Sequence, residues 1–163
     1  MGITVRYAEA NDLEQVNHLR RQVNDVHVNG RPDIFRPGFC EEMQRHLVDQ
    51  FEREGADVLV ACQGDEVCAF AVVQYVTKPL SPYNLERRFY QVEEFGVDEA
   101  HRRQGFATAL VKFMRQDATA KGFDRIELDM WEFNEGALKF YESVGFSTYR
   151  RYMELSLRGI ESF

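Results

Sequence analysis

Residues 93–108 decide the fold, and they read Glu93-Glu94-Phe95-Gly96-Val97-Asp98-Glu99-Ala100-His101-Arg102-Arg103-Gln104-Gly105-Phe106-Ala107-Thr108. A β-rich run ends at Val97, a short polar turn follows, and a helix begins near Gly105. The free N–H groups and the dipole at a helix N-terminus attract phosphate oxygens. Arg102 and Arg103 add positive charge, and the small Ala107 lets a pyrophosphate approach the main chain. The stretch therefore predicts a strand, a turn and a helix that together bind an anion.

This turn lacks the two common phosphate-binding signatures, because neither Gly-Lys-Ser/Thr nor Gly-x-Gly-x-x-Gly is present. Taken alone, it is equally compatible with an exposed basic turn ahead of an ordinary helix. A second stretch, about thirty residues further on, favours the anion-binding interpretation over the exposed turn. It reads Asn134-Glu135-Gly136-Ala137-Leu138-Lys139-Phe140-Tyr141-Glu142-Ser143-Val144-Gly145-Phe146.

With both stretches in view, the chain resembles the GNAT superfamily of N-acetyltransferases. Residues 102–107 match the acetyl-CoA motif of that family, R/Q-x-x-G-x-G/A, and residues 93–97 match the strand that leads into it. Two departures are visible: Glu99 stands where the family often has a proline, and Ala107 replaces the last motif glycine. The resemblance covers nearly the whole chain and implies an enzyme, an acyltransferase that uses acetyl-CoA as co-substrate and needs no metal.

The hydrophobic periodicity predicts the element order β-α-α-β-β-β-α-β-α-β. The strands are expected at 3–7, 57–63, 66–76, 89–97, 125–131 and 149–157, and the helices at about 12–28, 39–55, 105–121 and 134–144. A βαβ unit requires a parallel strand pair. We therefore expect an α/β (α+β) fold of the GNAT type: a mixed, mostly antiparallel twisted sheet of six to seven strands, flanked by about four helices. The chain has no repeats or linkers, which predicts one domain over residues 1–163.

The resemblance also implies roles for individual residues. Main-chain groups of Phe95, Gly96 and Val97 would bind the pantetheine arm and polarise the thioester carbonyl. Asn134 would contact the CoA arm, and Tyr141 would protonate the departing thiolate. The residues that would hold the CoA pyrophosphate share the turn and the helix start: Arg102, Arg103, Gln104, Gly105, Phe106, Ala107 and Thr108.

The expected chemistry is direct attack of a neutral amine on the thioester, without an acyl-enzyme. A phenol has a pKa near ~10 and a thiol near ~8.5, so Tyr141 would stay protonated and could donate to the thiolate. The N–H of Val97 is our candidate donor to the oxyanion. Tyr141 could instead be a packing residue, and Asn134 could be a helix N-cap as well as a ligand.

Glu93 and Glu94 are the candidates for accepting the amine proton. Neighbours on a regular strand point to opposite faces, so only one should face the substrate, unless a β-bulge intervenes. We favour Glu93, because it resembles the acidic residue of polyamine acetyltransferases. For the other glutamate, a solvated strand end is the expected role.

The acceptor should be bound by the segment after the first helix, where His27, Arg31 and Asp33 are our candidate substrate-binding residues. A loop that merely caps two helices is an equally good interpretation. We expect a small-molecule primary amine as substrate. The alternatives are acetylation of a protein N-terminus or lysine, and a non-catalytic acetyl-CoA sensor.

Composition narrows the classes further. The 163 residues are 44% hydrophobic and 29% charged with a net charge of −7, which argues against a nucleic-acid partner and favours a cationic substrate. The sequence shows neither an apolar stretch long enough to span a membrane nor a secretion signal, so we expect no membrane partner. Three cysteines without a CxxC pair suggest reduced thiols in the cytoplasm, and the scattered histidines suggest no metal site. The final strand at 149–157 could pair as an edge in a homodimer.

Overall fold

The computed structural model describes residues 2–159. Its five strands are β1 (Thr4–Tyr7), β2 (Ala56–Gln63), β3 (Glu66–Lys78), β4 (Arg87–Val97) and β5 (Ile126–Leu128). Its four α-helices are α1 (Leu13–Gly30), α2 (Glu41–Glu52), α3 (Phe106–Ala120) and α4 (Glu135–Ser143). Single turns of 3-10 helix precede α1 at Ala10–Asp12 and follow β4 at Glu99–His101.

The strands form one sheet in the order β1-β2-β3-β4-β5. The first four pair antiparallel, whereas β5 pairs parallel to β4, with Tyr90 opposite Ile126 and Val92 opposite Leu128. The β2–β3 hairpin turns at Gly64, whose φ of +60° is a left-handed conformation that suits glycine. These pairings confirm the α/β fold class and the mixed, mostly antiparallel sheet.

Helices cover both faces of the sheet, so β2 and β3 are nearly continuous apolar runs rather than alternating ones. On one face, α1 and α2 bury Val16 and Leu47 against Val60 and Phe70 of the sheet. On the other face, α3 forms a second core. The second core includes Phe106, Leu110, Met114, Leu59, Ala61 and Tyr90. No helix within residues 2–159 is both long and apolar enough to cross a bilayer.

The predicted sixth strand at 149–157 is wrong: in the described part of the chain the sheet has five strands, and this segment is not among them. Tyr152, Met153 and Leu157 are 82%, 93% and 85% exposed. A strand requires a neighbouring main chain, and no backbone hydrogen bond joins this segment to β5. The strand predicted at 125–131 is likewise shortened to three residues, because β4, its neighbour in the sheet, diverges beyond Val92.

Gly96 fixes the distance between α1 and β4. A Cβ atom built there would lie 2.6 Å from Val23 Cγ2 of α1 and 2.8 Å from Phe70 Cε1, closer than real Cβ contacts allow. Glycine at this position therefore lets the helix pack directly on the strand, and this close approach carries the α1 side chains onto β4.

Candidate active site

The site lies where β4 and β5 separate. Their pairing ends at Val92 and Leu128, whereas β4 continues to Val97. The N–H of Asp98 bonds to the carbonyl of Cys68 on β3 at 2.8 Å. Because N–H groups alternate sides along a strand, those of Phe95 and Val97 point to the open edge. This edge offers unpaired main-chain donors to a ligand lying between the two strands.

A β-bulge in β4 places two carboxylates on one face of the sheet. Val72 of β3 is opposite Glu94 and Val73 is opposite Val92, so Glu93 is an extra residue. Both glutamates contact side chains of the α1–α2 face of the sheet. The regular-strand expectation, that the two point to opposite faces, is therefore wrong, and the physical reason is the bulge that we considered as the exception.

Glu94 forms a part-buried ion pair with a residue that the sequence analysis missed. Arg20 of α1, only 6% exposed, donates from Nε to Glu94 Oε1 at 2.9 Å. The same guanidinium donates to Asn17 Oδ1 at 2.8 Å and to the carbonyl of Met43 at 2.7 Å, which fixes its position. The second oxygen of Glu94, Oε2, is buried and has no hydrogen-bond partner among residues 2–159. A buried carboxylate oxygen without a donor is costly, so it marks a place where a ligand can supply one.

Glu93 has a different environment from its neighbour. Its Oε2 accepts a hydrogen bond from Gln74 Nε2 at 2.7 Å, and its Oε1 lies 3.5 Å from His46 Nε2. Its Oε2 therefore already has a donor from β3, and its Oε1 faces a histidine of α2.

Tyr141 of α4 lies on the opposite face of β4. Its ring packs edge-on against Phe95 at 6.0 Å and against Phe146 at 5.6 Å. Burial raises the pKa of the phenol to about 12, which keeps it protonated at neutral pH. Its hydroxyl has no hydrogen-bond partner within the described chain. Tyr141 is therefore both packed, as the alternative interpretation held, and able to donate a proton.

The N-terminus of α3 has the geometry expected of an anion site. Gly105 is its N-cap with a φ of +93°, and Arg103 ahead of it is also left-handed at +60°. The first N–H that bonds back along the chain is that of Ala109, to the carbonyl of Gly105 at 3.0 Å. The N–H groups of residues 106–108 are therefore free of helix bonds. The Arg102, Gln104 and Thr108 side chains are exposed, Ala107 is half-buried, and Phe106 is 2% exposed and can offer only its main chain.

Asn134 is the N-cap of α4, as one of its two proposed roles requires. Its Oδ1 accepts a hydrogen bond from the N–H of Ala137 at 3.2 Å. This cap begins the helix that carries Tyr141, so Asn134 helps to position it whether or not it also touches a ligand.

The three candidate substrate-binding residues at the end of α1 separate into two groups. His27 stacks on Phe35 at 4.9 Å, and burial lowers its pKa, opposed in part by the charge of Glu94. His27 therefore lies among aromatic rings, Phe35 and Phe133, at the end of α1. Arg31 and Asp33 instead pair with each other, and Arg31 also pairs with Glu154.

A pattern in the sequence could have revealed Arg20. Val16, Leu19, Arg20 and Val23 occupy successive positions of one helix face, so Arg20 replaces an apolar residue in a buried stripe. A buried arginine requires an acidic partner.

A cluster of potential metal ligands is also present. Ligand atoms of Glu66, Cys68 and His101 lie within 4.8 Å of one another. The absence of a metal was expected from the histidines alone, and it stays a prediction.

The fold and the site combine a mixed sheet, a split between its two parallel strands and a neighbouring helix start with free N–H groups. The Acetyltransferase (GNAT) family matches residues 27–146. The chain belongs to this family. The match includes the open edge of β4, the α3 N-terminus and Tyr141.

Named relatives agree with this assignment. The chain is 30% identical over 149 residues to L-amino acid N-acetyltransferase AaaT of Escherichia coli, covering 88% of this chain and 82% of that protein. It is 24% identical over 128 residues to L-ornithine N5-acetyltransferase NATA1 of Arabidopsis thaliana, covering 78% of this chain and 55% of that protein. The chain spans only about a third to a half of the length of several curated relatives that it matches.

Solved structures share the fold. A mutant of the BH1408 protein from Bacillus halodurans superposes with a TM-score of 0.90 at 31% identity, covering 94% of this chain and 99% of that one. The aminoglycoside N-acetyltransferase AAC(6')-Iy in complex with CoA superposes with a TM-score of 0.75, covering 96% and 95%. At 17% identity, the second likeness concerns the fold alone.

Proposed function

We propose that the protein transfers the acetyl group of acetyl-CoA to a primary amine of a small, cationic molecule. One observation carries the proposal: two polar groups without hydrogen-bond partners among residues 2–159 flank the same open strand edge. Glu94 Oε2 lies on one face of β4, and the Tyr141 hydroxyl lies on the other, against the ring of the next residue, Phe95. Such an arrangement suits acetyl transfer, in which one group accepts a proton from the amine and another, on the other side of the thioester, donates a proton to the departing thiolate.

In this proposal acetyl-CoA lies between β4 and β5. The free N–H groups at residues 106–108 would hold the pyrophosphate, with Arg102 and Arg103 nearby. The N–H groups of Phe95 and Val97 would bind the pantetheine arm and the thioester oxygen, and Asn134 would contact the arm. A relative of the same fold was solved in complex with CoA, which supports this use of the fold.

The reaction would proceed by direct attack. The amine nitrogen forms a bond to the thioester carbon, and the Val97 N–H stabilises the oxyanion. The C–S bond then breaks, the amine proton passes to Glu94 directly or through water, and Tyr141 protonates the CoA thiolate. The contacts favour Glu94 over Glu93 as the base, because Glu94 has a buried oxygen without a hydrogen-bond partner among residues 2–159, whereas Glu93 is exposed and accepts from Gln74.

The acceptor would enter from the α1–α2 face, where the two carboxylates and His27 lie. Glu93 and Glu94 make this end of the site acidic, which suits an ammonium group. The named relatives acetylate amino acids according to their names, L-ornithine in one case, which supports a small acceptor over a protein. The three cysteines are free thiols, which supports a reducing, cytoplasmic location.

The test is a thiol-release assay with acetyl-CoA and a panel of amines: amino acids, ornithine, polyamines, aminoglycosides and short peptides with a lysine or a free N-terminus. We expect turnover with small cationic amines. Turnover restricted to peptides would favour the protein-directed alternative. Acetyl-CoA binding without turnover on any member would contradict the catalytic proposal and favour a sensor.

Tyr141→Phe removes the proposed proton donor and keeps the aromatic ring. Loss of the proton donor should reduce kcat by about 10²-fold or more, because general acids contribute factors of that size. The affinity for acetyl-CoA, measured by calorimetry, should change little, since the phenyl ring keeps its packing against Phe95. Unchanged kcat would remove Tyr141 from the mechanism.

A further inference from the structure

The mixed cluster of Glu66, Cys68 and His101 lies apart from the proposed acetyl-transfer residues, where β3 begins beside the turn after β4. Glu66 and Cys68 belong to β3, whereas His101 ends the 3-10 turn that follows β4. The N–H of Asp98, which begins that turn, bonds to the carbonyl of Cys68 at 2.8 Å. The sheet itself therefore brings side chains from separate strands together, with ligand atoms within 4.8 Å of one another.

A β-bulge directs the thiol of Cys68 toward the histidine. The register between β2 and β3 shifts by one residue, and Cys68 is the extra residue of β3. In a regular strand Cys68 and Ala69 would face opposite sides of the sheet, but both pack in the core on the α3 side. Bulges re-aim side chains in this way, often next to functional sites. Here the bulge places a fully buried thiol on the face where His101 packs against Phe106 of α3.

A carboxylate outside the cluster orients the imidazole of His101. Its Nδ1 lies 3.1 Å from Asp98 Oδ2. Because a carboxylate only accepts hydrogen bonds, Nδ1 of the neutral ring carries the proton, and Nε2 keeps its lone pair. Histidines that bind metals commonly donate their other N–H to a carboxylate, which fixes the ring and raises its basicity. His101 is therefore held as a metal ligand usually is.

The lone pair of His101 Nε2 faces another acceptor. Glu66 Oε1 lies 3.6 Å from Nε2, which is longer than a hydrogen bond. Zinc–nitrogen and zinc–oxygen bonds of about 2.0–2.2 Å at a tetrahedral angle place the two ligand atoms roughly 3.4 Å apart. The spacing therefore suits a shared ion between the imidazole and the carboxylate, with the sulfur of Cys68 beside it.

We propose that Glu66, Cys68 and His101 bind one Zn²⁺ ion, with the fourth position open to water. Thiolate, imidazole and carboxylate ligands together suit zinc. On binding, the metal replaces the proton of the Cys68 thiol, and that proton passes to solvent. The ion would tie the beginning of β3 to the turn after β4, and the proposed acetyl transfer does not use it. The spacing of the histidines along the chain predicted no metal site, but the contacts of His101 argue for one.

The test is zinc binding by the untagged protein, first freed of metals and then titrated in competition with a chromophoric chelator. We expect one zinc ion per chain. Cys68→Ser should weaken binding at least ~100-fold, because loss of a mere outer-shell partner already costs about 10–100-fold. Cys62→Ser is the matched control: Cys62 is equally buried but packs in the core on the other face, so zinc affinity should not change. Thermal unfolding checks that both serine variants are folded.

Glu66→Gln supplies a comparison that does not disturb the core, because the Glu66 side chain is 58% exposed. Loss of this ligand should weaken zinc binding at least ~10-fold. Asp65→Asn makes the same change at the neighbouring exposed residue, outside the cluster, and should leave the affinity as it is. Equal affinity in these two variants would overturn the proposal, because the ion would then lie elsewhere.

Cobalt supplies a spectroscopic readout. Co²⁺ bound in place of zinc gives a charge-transfer band in the near ultraviolet when a thiolate is a ligand. The band should appear in the unmodified protein and in Cys62→Ser, and it should be lost in Cys68→Ser. An unmodified protein that binds no zinc, or a thiolate band that survives Cys68→Ser, would overturn the proposal too. None of these outcomes depends on acetyl transfer.

Discussion

Two carboxylates on opposite faces of the sheet differ in whether both of their oxygens accept a hydrogen bond. Asp117 of α3 accepts hydrogen bonds from Tyr7, from Tyr90 at 2.9 Å and from Lys121, so both of its oxygens have partners. Glu94 of β4 has Arg20 on one oxygen and no partner on the other within residues 2–159. The first group therefore stabilises the fold, whereas the second keeps a free acceptor where substrate is proposed to bind.

The difference shows which feature distinguishes a structural carboxylate from a candidate functional one. Burial and an ion pair are common to both: Asp117 pairs with Lys121, and Glu94 pairs with Arg20. What differs is whether every lone pair is satisfied, since an unsatisfied buried oxygen lowers stability unless a ligand completes it. Changing Glu94 should therefore lower activity, whereas changing Asp117 should lower stability alone.

Of the changes to the two carboxylates, Glu94→Gln should have the larger effect on activity. The amide oxygen can still accept from Arg20, but the group no longer takes a proton, so kcat/KM should fall by about 10²-fold. The free energy of unfolding should fall as well, because the buried Arg20 loses its charged partner, so kcat/KM is compared per folded molecule. Glu93→Gln is the matched comparison, because the same change is made one residue away, and we expect a loss below about 5-fold. Equal losses in the two variants would contradict the placement of the base at Glu94.

Asp117→Asn should lower the stability of the protein without lowering its activity. Loss of the charge weakens three hydrogen bonds in a buried cluster, so the free energy of unfolding should fall by about 1–3 kcal/mol. Chemical denaturation measures this change. Because Asp117 lies on the α3 face, away from Glu94, kcat per folded molecule should remain within a factor of about two. A large fall in kcat without loss of stability would show that the two faces are coupled.

The pH dependence of stability should identify Asp117 as a carboxylate that stabilises the fold. Burial alone would raise the pKa of Asp117, but hydrogen bonds from Lys121, Tyr7 and Tyr90 lower it below its usual value. A lowered folded-state pKa gives stability that is fully present above the unfolded value of about 4 and is lost as pH falls through the folded value. The Tm difference between the unmodified protein and Asp117→Asn should therefore be constant from about pH 7 to 5 and shrink below about pH 4. A constant difference down to pH 2 would contradict this.

Local patterns in the sequence predicted most of the fold. Helix faces, the hairpin at Gly64 and the parallel β4–β5 pair follow from spacing and turn chemistry, which act over a few residues. The prediction of a sixth strand was wrong because strand pairing depends on a neighbouring main chain, which residue spacing does not reveal. Residues 149–157 alternate as a strand does, yet no main chain pairs with them within residues 2–159.

The sequence predicted a candidate site but not the contacts within it. The resemblance pointed to the edge of β4 and to Tyr141, whereas the partners of each glutamate depend on long-range packing. Arg20 reaches Glu94 across 74 residues of sequence. The bulge at Glu93 depends on the register between β3 and β4, which neither strand encodes alone.

The bulge also has a consequence for how this strand can change in evolution. Because Glu93 is the supernumerary residue, a deletion of that one position would leave Glu94, Phe95 and Gly96 on the faces that they now occupy. A deletion elsewhere in the core of β4 would turn those side chains over. Position 93 is thus a place where the strand tolerates a change of length, and lineages can gain or lose a second acid at the acceptor entrance without rebuilding the cofactor side.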